Sequence, residues 1–335
     1  MNGKCVFLGT KEKIEEVYGE KLLNEMQDKI GTDKTAVFDI DSIKSSNGAL
    51  NGVSAVFGTW GMPALTEEEI KEFLPDLKYV FYAAGSVKPF AGGYFNANIR
   101  IFSAASANAV PVAQVTSAEI TLANKGFFQH IMNMKLKNDE TARNQVNSFP
   151  GNIGAKIGII GAGAIGKQVI KMLSAEDNEI YIYDPFLPKE TADKLGAELK
   201  SLEFIFSECD TISNHLANNG QTKGILNYSL FSKMKPNSVF INTGRGAQVV
   251  EADLIRALSE DKSRAAVLDV TDPEPPEIDS PFYEMPNIFL TPHFAGSCGN
   301  EPRRMARYMF EEYLRIKGGE KPLYEVTPQM LKTMA

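Results

Sequence analysis

Short apolar runs of strand length recur along the chain. Between them, apolar residues return every three or four positions, the spacing of one face of a helix. Over the first 120 residues the runs are Cys5–Leu8, Val53–Phe57, Lys78–Ala83 and Ile99–Phe102, followed by the brief Val110–Pro111. Lys11–Lys29 is a charged helical pattern. Thr66–Phe73 opens another, with Thr66 as cap and Glu69 three residues on in capping-box spacing. Val112–Lys135, mixed apolar and small, predicts one long crossover helix, and polar residues 137–151 predict a linker or surface loop. From 155 onward the strand-length segments are Ala155–Ile160, Ile180–Tyr183, Thr211–Asn214, Val239–Asn242, Ala265–Leu268 and Ile288–Leu290. Helical stretches lie between them, Glu251–Leu258 among them, and Pro302–Ile316 is a last amphipathic helix expected to pack back on the N-terminal unit. Strands alternating with helices predict an α/β protein with parallel, doubly wound sheets.

One junction carries more than a fold. After the run ending at Ile160 come Gly161, Gly163 and Gly166, in G-x-G-x-x-G spacing. Ile165, Val169, Met172 and Leu173 then mark one helical face. The next run ends at Asp184, 23 positions after Gly161. Each part has a mechanical reason. Gly161 permits the tight turn, Gly163 lets a pyrophosphate approach the backbone, and Gly166 lets helix and strand pack closely. Unpaired N–H groups at the helix start would hold the phosphates. Asp184 would accept hydrogen bonds from a ribose 2′-hydroxyl and repel a 2′-phosphate, so NAD is expected rather than NADP.

Composition narrows the class. The 335 residues, 43% hydrophobic, suggest two domains. The formal charge is −7 and the basic residues are dispersed, so no nucleic-acid surface is expected. Cys5, Cys209 and Cys298 are too few and too scattered for a disulfide framework or a zinc site, and no metal is expected. No apolar run reaches 18 residues, and the N-terminal stretch is too poor in apolar residues for a secretory signal. A cytoplasmic protein with no membrane contact is the expectation.

In open α/β sheets, ligands bind beyond the carboxyl ends of the strands. Three predicted strand ends deliver reactive groups there: Thr243-Gly244-Arg245-Gly246, then Asp269 to Glu274, then Thr291-Pro292-His293. Taken singly, each has a structural reading: a loop arginine, an acid in a solvated proline turn, a histidine at a strand end. Together they suit hydride transfer on a 2-hydroxy acid. Histidine titrates near neutral pH and can exchange the hydroxyl proton. Arginine offers a two-donor fork for a carboxylate. A carboxylate orients the imidazole and stabilises its charged form. His293 is therefore assigned as acid/base, Arg245 as substrate anchor and carbonyl polariser, and Glu274 as the partner of His293. His215 is open between a structural and a cofactor-facing role, and His130 and Cys298 are not expected to react.

Residues 155–296 resemble the D-isomer-specific 2-hydroxyacid dehydrogenases, and the N-terminal third fits the same plan. The resemblance rests on Gly158–Gly166, Ile241–Gly246, Leu268–Pro275 and Thr291–Ser297. It implies a central Rossmann domain over 121–299 and a flavodoxin-like substrate domain built from 1–120 and 300–335. It implies an Arg245/Glu274/His293 trio acting with NAD on a small 2-oxo or 2-hydroxy acid, and a homodimer. It adds Ala164 and Ile165 at the pyrophosphate, Thr243, Gly244 and Asp269 near the nicotinamide, and Ala217 and Thr222 on the adenine side. Ala84 and Gly85 match the turn whose N–H groups hold the substrate carboxylate. Where the family usually has Pro-Leu-Thr, this chain has Ala217-Asn218-Asn219. Two rival readings keep the fold: an NAD(H)-sensing corepressor or scaffold, and a phosphite dehydrogenase-like enzyme.

Overall fold

The computed structural model describes residues 3–332. The strands are β1 (Lys4–Leu8), β2 (Val37–Phe38), β3 (Val53–Gly58), β4 (Tyr79–Tyr82), β5 (Arg100–Ser103), β6 (Ile153–Ile160), β7 (Asp177–Tyr183), β8 (Glu198–Leu199), β9 (Thr211–Asn214), β10 (Val239–Asn242), β11 (Ala265–Leu268), β12 (Ile288–Leu290) and β13 (Glu325–Val326). They form two sheets among the described residues, ordered β13-β5-β4-β3-β1-β2 and β12-β11-β10-β9-β6-β7-β8. Every pairing is parallel except β13 on β5. The first is the 2-1-3-4-5 order of flavodoxin-like sheets with an antiparallel edge added; the second is the Rossmann order extended by one strand. The chain accordingly divides into two units, residues up to 109 with those from 297, and residues 110–296.

In the first unit, helix α1 (Lys11–Ile30) buries Ile14, Val17, Tyr18, Leu22, Leu23 and Met26 against the sheet. The last long helix buries Met305, Met309, Phe310 and Tyr313 in the same core, so the C-terminal segment does pack on the N-terminal sheet. Edge strand β13 is held by charge: Arg100 donates twice to Glu325 at 2.7 Å. The buried Glu312 also accepts from the backbone N–H groups of Leu323 and Tyr324.

The crossover differs from its expected form. Helix α2 (Ala105–Asn124) starts seven residues earlier than the pattern suggested and carries Pro111 inside it. The Val110–Pro111 run is thus helical. The helix does not continue to Lys135. It stops at Gly126, whose φ of 69° is left-handed, and α3 (Phe127–Lys135) restarts there. A β-carbon at Gly126 would fall 2.3 Å from the Phe149 ring, so the break and the ring fix each other. Residues 137–151 hold a helix over Asp139–Asn144 and a short 3-10 turn rather than a plain loop.

In the second unit, α4 (Ala164–Leu173) packs Val169, Ile170 and Leu173 against Ile157, Ile159 and Ile182. Met172, expected on that buried face, is 37% exposed, because it sits past the edge of the apolar stripe. Since all seven strands are parallel, every carboxyl end of this sheet lies along one edge.

Candidate active site

The glycine turn fits the demands of a dinucleotide. Gly161 has φ 91°, and a β-carbon there would lie 2.8 Å from the His215 carbonyl oxygen. At Gly166 it would lie 2.2 Å from the Gly161 oxygen. Both positions exclude any side chain. At Gly163 it would meet nothing within 4 Å, which leaves the room a pyrophosphate needs against the exposed Gly163 and Ala164. The N-terminus of α4 has no side-chain cap, so its first N–H groups point outward without an internal competitor. Ile165 lies half-buried in the first turn. Asp184 follows β7, and its Oδ2 accepts from the Ala162 N–H at 2.9 Å while Oδ1 accepts from Phe186 N–H at 2.9 Å. Those two bonds fix the carboxylate beside the turn and leave lone pairs for a ribose.

The trio comes together at the same sheet edge. His293 Nδ1 donates to Glu274 Oε1 at 2.5 Å. Glu274 acts electrostatically on Arg245: burial lowers the guanidinium's pKa and the charge of Glu274 opposes the fall. Arg245 also donates to the Gly244 carbonyl at 2.7 Å. Gly246 makes this meeting possible. A β-carbon there would fall 2.0 Å from the Thr271 carbonyl carbon, so only glycine lets the arginine loop press on the acid loop. Thr271 closes the acid loop by donating to the Pro273 carbonyl at 2.7 Å.

Asp269 is buried and spends its carboxylate on the histidine turn. Oδ1 accepts from the Thr291 hydroxyl at 2.6 Å and Phe294 N–H at 2.9 Å, and Oδ2 from Ala295 N–H at 3.0 Å. The turn it grips holds His293 at φ 53°, a left-handed conformation that costs a non-glycine residue on the order of 1 kcal/mol. Thr243 shares a 2.8 Å hydrogen bond with Thr116 of α2. Thr222 donates to the Ala217 carbonyl at 2.6 Å and so shapes the loop after β9. Ala84 and Gly85 lie in the first unit, where the Ser103 hydroxyl reaches both their carbonyls, at 3.0 and 2.6 Å.

Two features, a buried amide network and a buried glutamate, escaped the sequence reading. A buried amide network, Asn214–Asn242–Gln248, ties the loops after β9 and β10. Asn214 donates to Asn242 and Gln248, and Gln248 donates to the carbonyls of Leu216 and Ala217. His215 is buried with its pKa pushed down to about 3 by desolvation, and its Nε2 lies 2.9 Å from the Ser213 hydroxyl. This favours the structural of its two readings. Glu119 on α2 is buried, and burial and then the charge of Asp269 push its pKa up to about 8. Its signal was available: it is the single charged residue in the 105–124 helix.

Fold and site together define a two-unit α/β protein with a Rossmann sheet. A model described as "D-isomer specific 2-hydroxyacid dehydrogenase, NAD binding domain" matches residues 123–295. The chain belongs to the D-isomer specific 2-hydroxyacid dehydrogenase family, and the matched stretch is its NAD-binding domain. Among relatives, a D-3-phosphoglycerate dehydrogenase of Archaeoglobus fulgidus is 32% identical over 166 residues, covering 50% of this chain and 32% of its own. The putative 2-hydroxyacid dehydrogenase YoaD of Bacillus subtilis is 34% identical over 207 residues, covering 59% of this chain and 58% of its own. The matches thus span from about a third to under two thirds of those relatives' lengths. A solved phosphoglycerate oxidoreductase from Rhizobium etli superposes with a TM-score of 0.80 at 19% identity, over 98% of this chain and all of that one, which shows the shared fold. No helix among the described residues is long and apolar enough to cross a membrane.

Proposed function

We propose that the chain is an NAD-dependent dehydrogenase that interconverts a small 2-oxo acid and its D-2-hydroxy acid. The observation that carries this reading is the 2.5 Å His293–Glu274 hydrogen bond, with Arg245 close enough for the Glu274 charge to act on it. Gly161, Gly163, Ala164, Ile165 and Gly166 hold the pyrophosphate, Asp184 the adenosine ribose, and Ala217 and Thr222 the adenine side. Thr243, Gly244 and Asp269 would lie on the nicotinamide side of the bound cofactor. Bound NADH supplies the hydride for C2 of the oxo acid. Arg245 binds the substrate carboxylate with its planar fork and draws electron density toward the carbonyl oxygen. His293 Nε2 gives that oxygen a proton as negative charge develops on it, and takes it back in the reverse direction. Glu274 keeps the imidazole in the tautomer with the proton on Nδ1 and stabilises the imidazolium. Such proton transfer contributes on the order of a hundred- to ten-thousandfold in rate.

Buried Cys5 and Cys209 and the unpaired Cys298 suit a reducing cytoplasm. The second unit also leaves Phe127, Met134, Leu136, Val146 and Ile153 exposed, from 40% to 77%. Apolar residues in this number suit burial against a second copy, so a homodimer is the proposed assembly, to be read by light scattering on the purified chain.

The test is a panel of glyoxylate, hydroxypyruvate, pyruvate, branched 2-oxo acids and, in the oxidative direction, 3-phosphoglycerate and phosphite, with NAD(H) and NADP(H). The proposal expects turnover with at least one acid and preference for the non-phosphorylated cofactor. NADH binding without turnover of any acid would return the chain to the sensing or scaffold class, and turnover of phosphite alone would move it to the phosphite class.

A further inference from the structure

Glu119 is nine-tenths buried, and its Oε2 has no hydrogen-bond partner. One helical turn earlier on α2, Thr116 is spent on Thr243. Desolvation is the first cause holding Glu119 protonated at neutral pH, and the negative charge of Asp269 is the second. Asp269 in turn makes the three hydrogen bonds that grip the turn of His293. A left-handed, non-glycine residue stays in place only while its surroundings hold it there.

We propose that Glu119 is a positioning residue of this site: buried on the helix that Thr116 ties to Thr243 and within electrostatic reach of Asp269, it makes the grip of Asp269 on the His293 turn conditional on a proton at position 119. With Glu119 neutral, the charge of Asp269 is met by its three donors. With Glu119 ionised, a second negative charge stands in a desolvated place near the first. No cation among the described residues offsets it. Strands β10 and β11 carry no ionisable residue. Lys156 of β6 lies 3.8 Å from Glu208, and Lys167 and Lys171 sit at exposed positions of α4. Of these lysines and the loop residues Arg245, Asp269, Asp272, Glu274 and His293, Asp269 alone acts on Glu119. The conflict is relieved by loosening the turn and admitting water. The sign follows from the raised value. The folded state binds this proton more tightly than the unfolded chain does, so its stabilisation is complete at acid pH and is lost as pH rises through about 8.

The consequence for rate rests on the acid/base role proposed for His293; the conformational test does not. Hydrogen exchange at the Phe294 and Ala295 amides, which donate to Asp269, is measured on the full chain at pH 7 and pH 9 and corrected for the intrinsic base-catalysed rate. Wild type is expected to lose protection by about tenfold, because proton release favours the opened turn only up to the folded-state value of about 8 and adds nothing above it. Glu119→Gln is expected to keep its protection, and so is Glu119→Met, which serves if the glutamine variant folds poorly. Unchanged protection in wild type, or an equal loss in the variants, overturns the proposal. In an active enzyme, the alkaline limb of kcat should move in Glu119→Gln. A chain that turns over no oxo acid leaves the exchange result standing, so the two readings fail separately.

Discussion

The two units begin with the same device and put it to different ends. In the first, β1 runs into Gly9, whose N–H donates to the carbonyl of Phe38, the last residue of β2, at 2.9 Å. In the second, β6 runs into Gly161, whose N–H donates to the carbonyl of Tyr183, the last residue of β7, at 2.8 Å. Both glycines have positive φ, 137° and 91°. Each neighbouring strand is followed by an aspartate. What differs is where the polar side chains go. Thr10 caps α1 by accepting from Lys13 N–H, and Asp39 caps the helix that follows it, accepting from Ser42 N–H. The start of α4 has no such cap, and Asp184 reaches back to the Ala162 N–H of the glycine turn. One βαβ unit satisfies its helix ends internally and is scaffold. The other leaves them for an anion, and an N-cap side chain is worth only about 1 kcal/mol, so little stability separates the two.

That contrast breaks most severely at Gly166. Gly166→Val should abolish NADH binding, a loss of more than about a hundredfold by fluorescence titration, because its β-carbon would overlap the Gly161 carbonyl. Next comes Glu274→Gln. It keeps a hydrogen-bond partner for His293 but removes the charge, and should lower kcat by about a hundredfold with little change in NADH affinity. A drop in NADH affinity as large as the drop in kcat would make Glu274 a part of the nucleotide fold instead. Asp184→Ala removes the acceptor of the Ala162 N–H and the repulsion toward a 2′-phosphate. Its NADH-over-NADPH preference should shrink by about tenfold, read as the ratio of kcat/KM values. The smallest effect belongs to the capped unit: Thr10→Ala should cost about 1 kcal/mol in denaturant unfolding and leave NADH affinity untouched.

Much of this was legible before any coordinates. The runs at β10 and β11 coincide with the strands because every residue of both is buried, and all but Asn242 are apolar. The glycine turn and the trio were legible because each demands particular residue types at particular spacing. The two-residue strands β2, β8 and β13 were not, since so short a strand is ordered by its neighbour and by contacts such as Arg100–Glu325. The ends of α2 were hidden by Pro111, which a helix interior seldom carries, and by Gly126, whose stop depends on Phe149 far along the chain. Asp269 shows the limit of motif reading. Its place at the end of β11 is legible, but that its three hydrogen bonds shape the His293 turn is a fact of tertiary structure.

The central claim is that His293, oriented by Glu274, handles the substrate proton while the glycine turn independently holds the nucleotide. The direct measurement is the rate of NADH oxidation by purified His293→Ala with whichever 2-oxo acid the wild type reduces, taken beside its NADH affinity. The account predicts a fall in kcat of at least about a hundredfold with NADH affinity within about twofold of wild type. Turnover at the wild-type rate would contradict it.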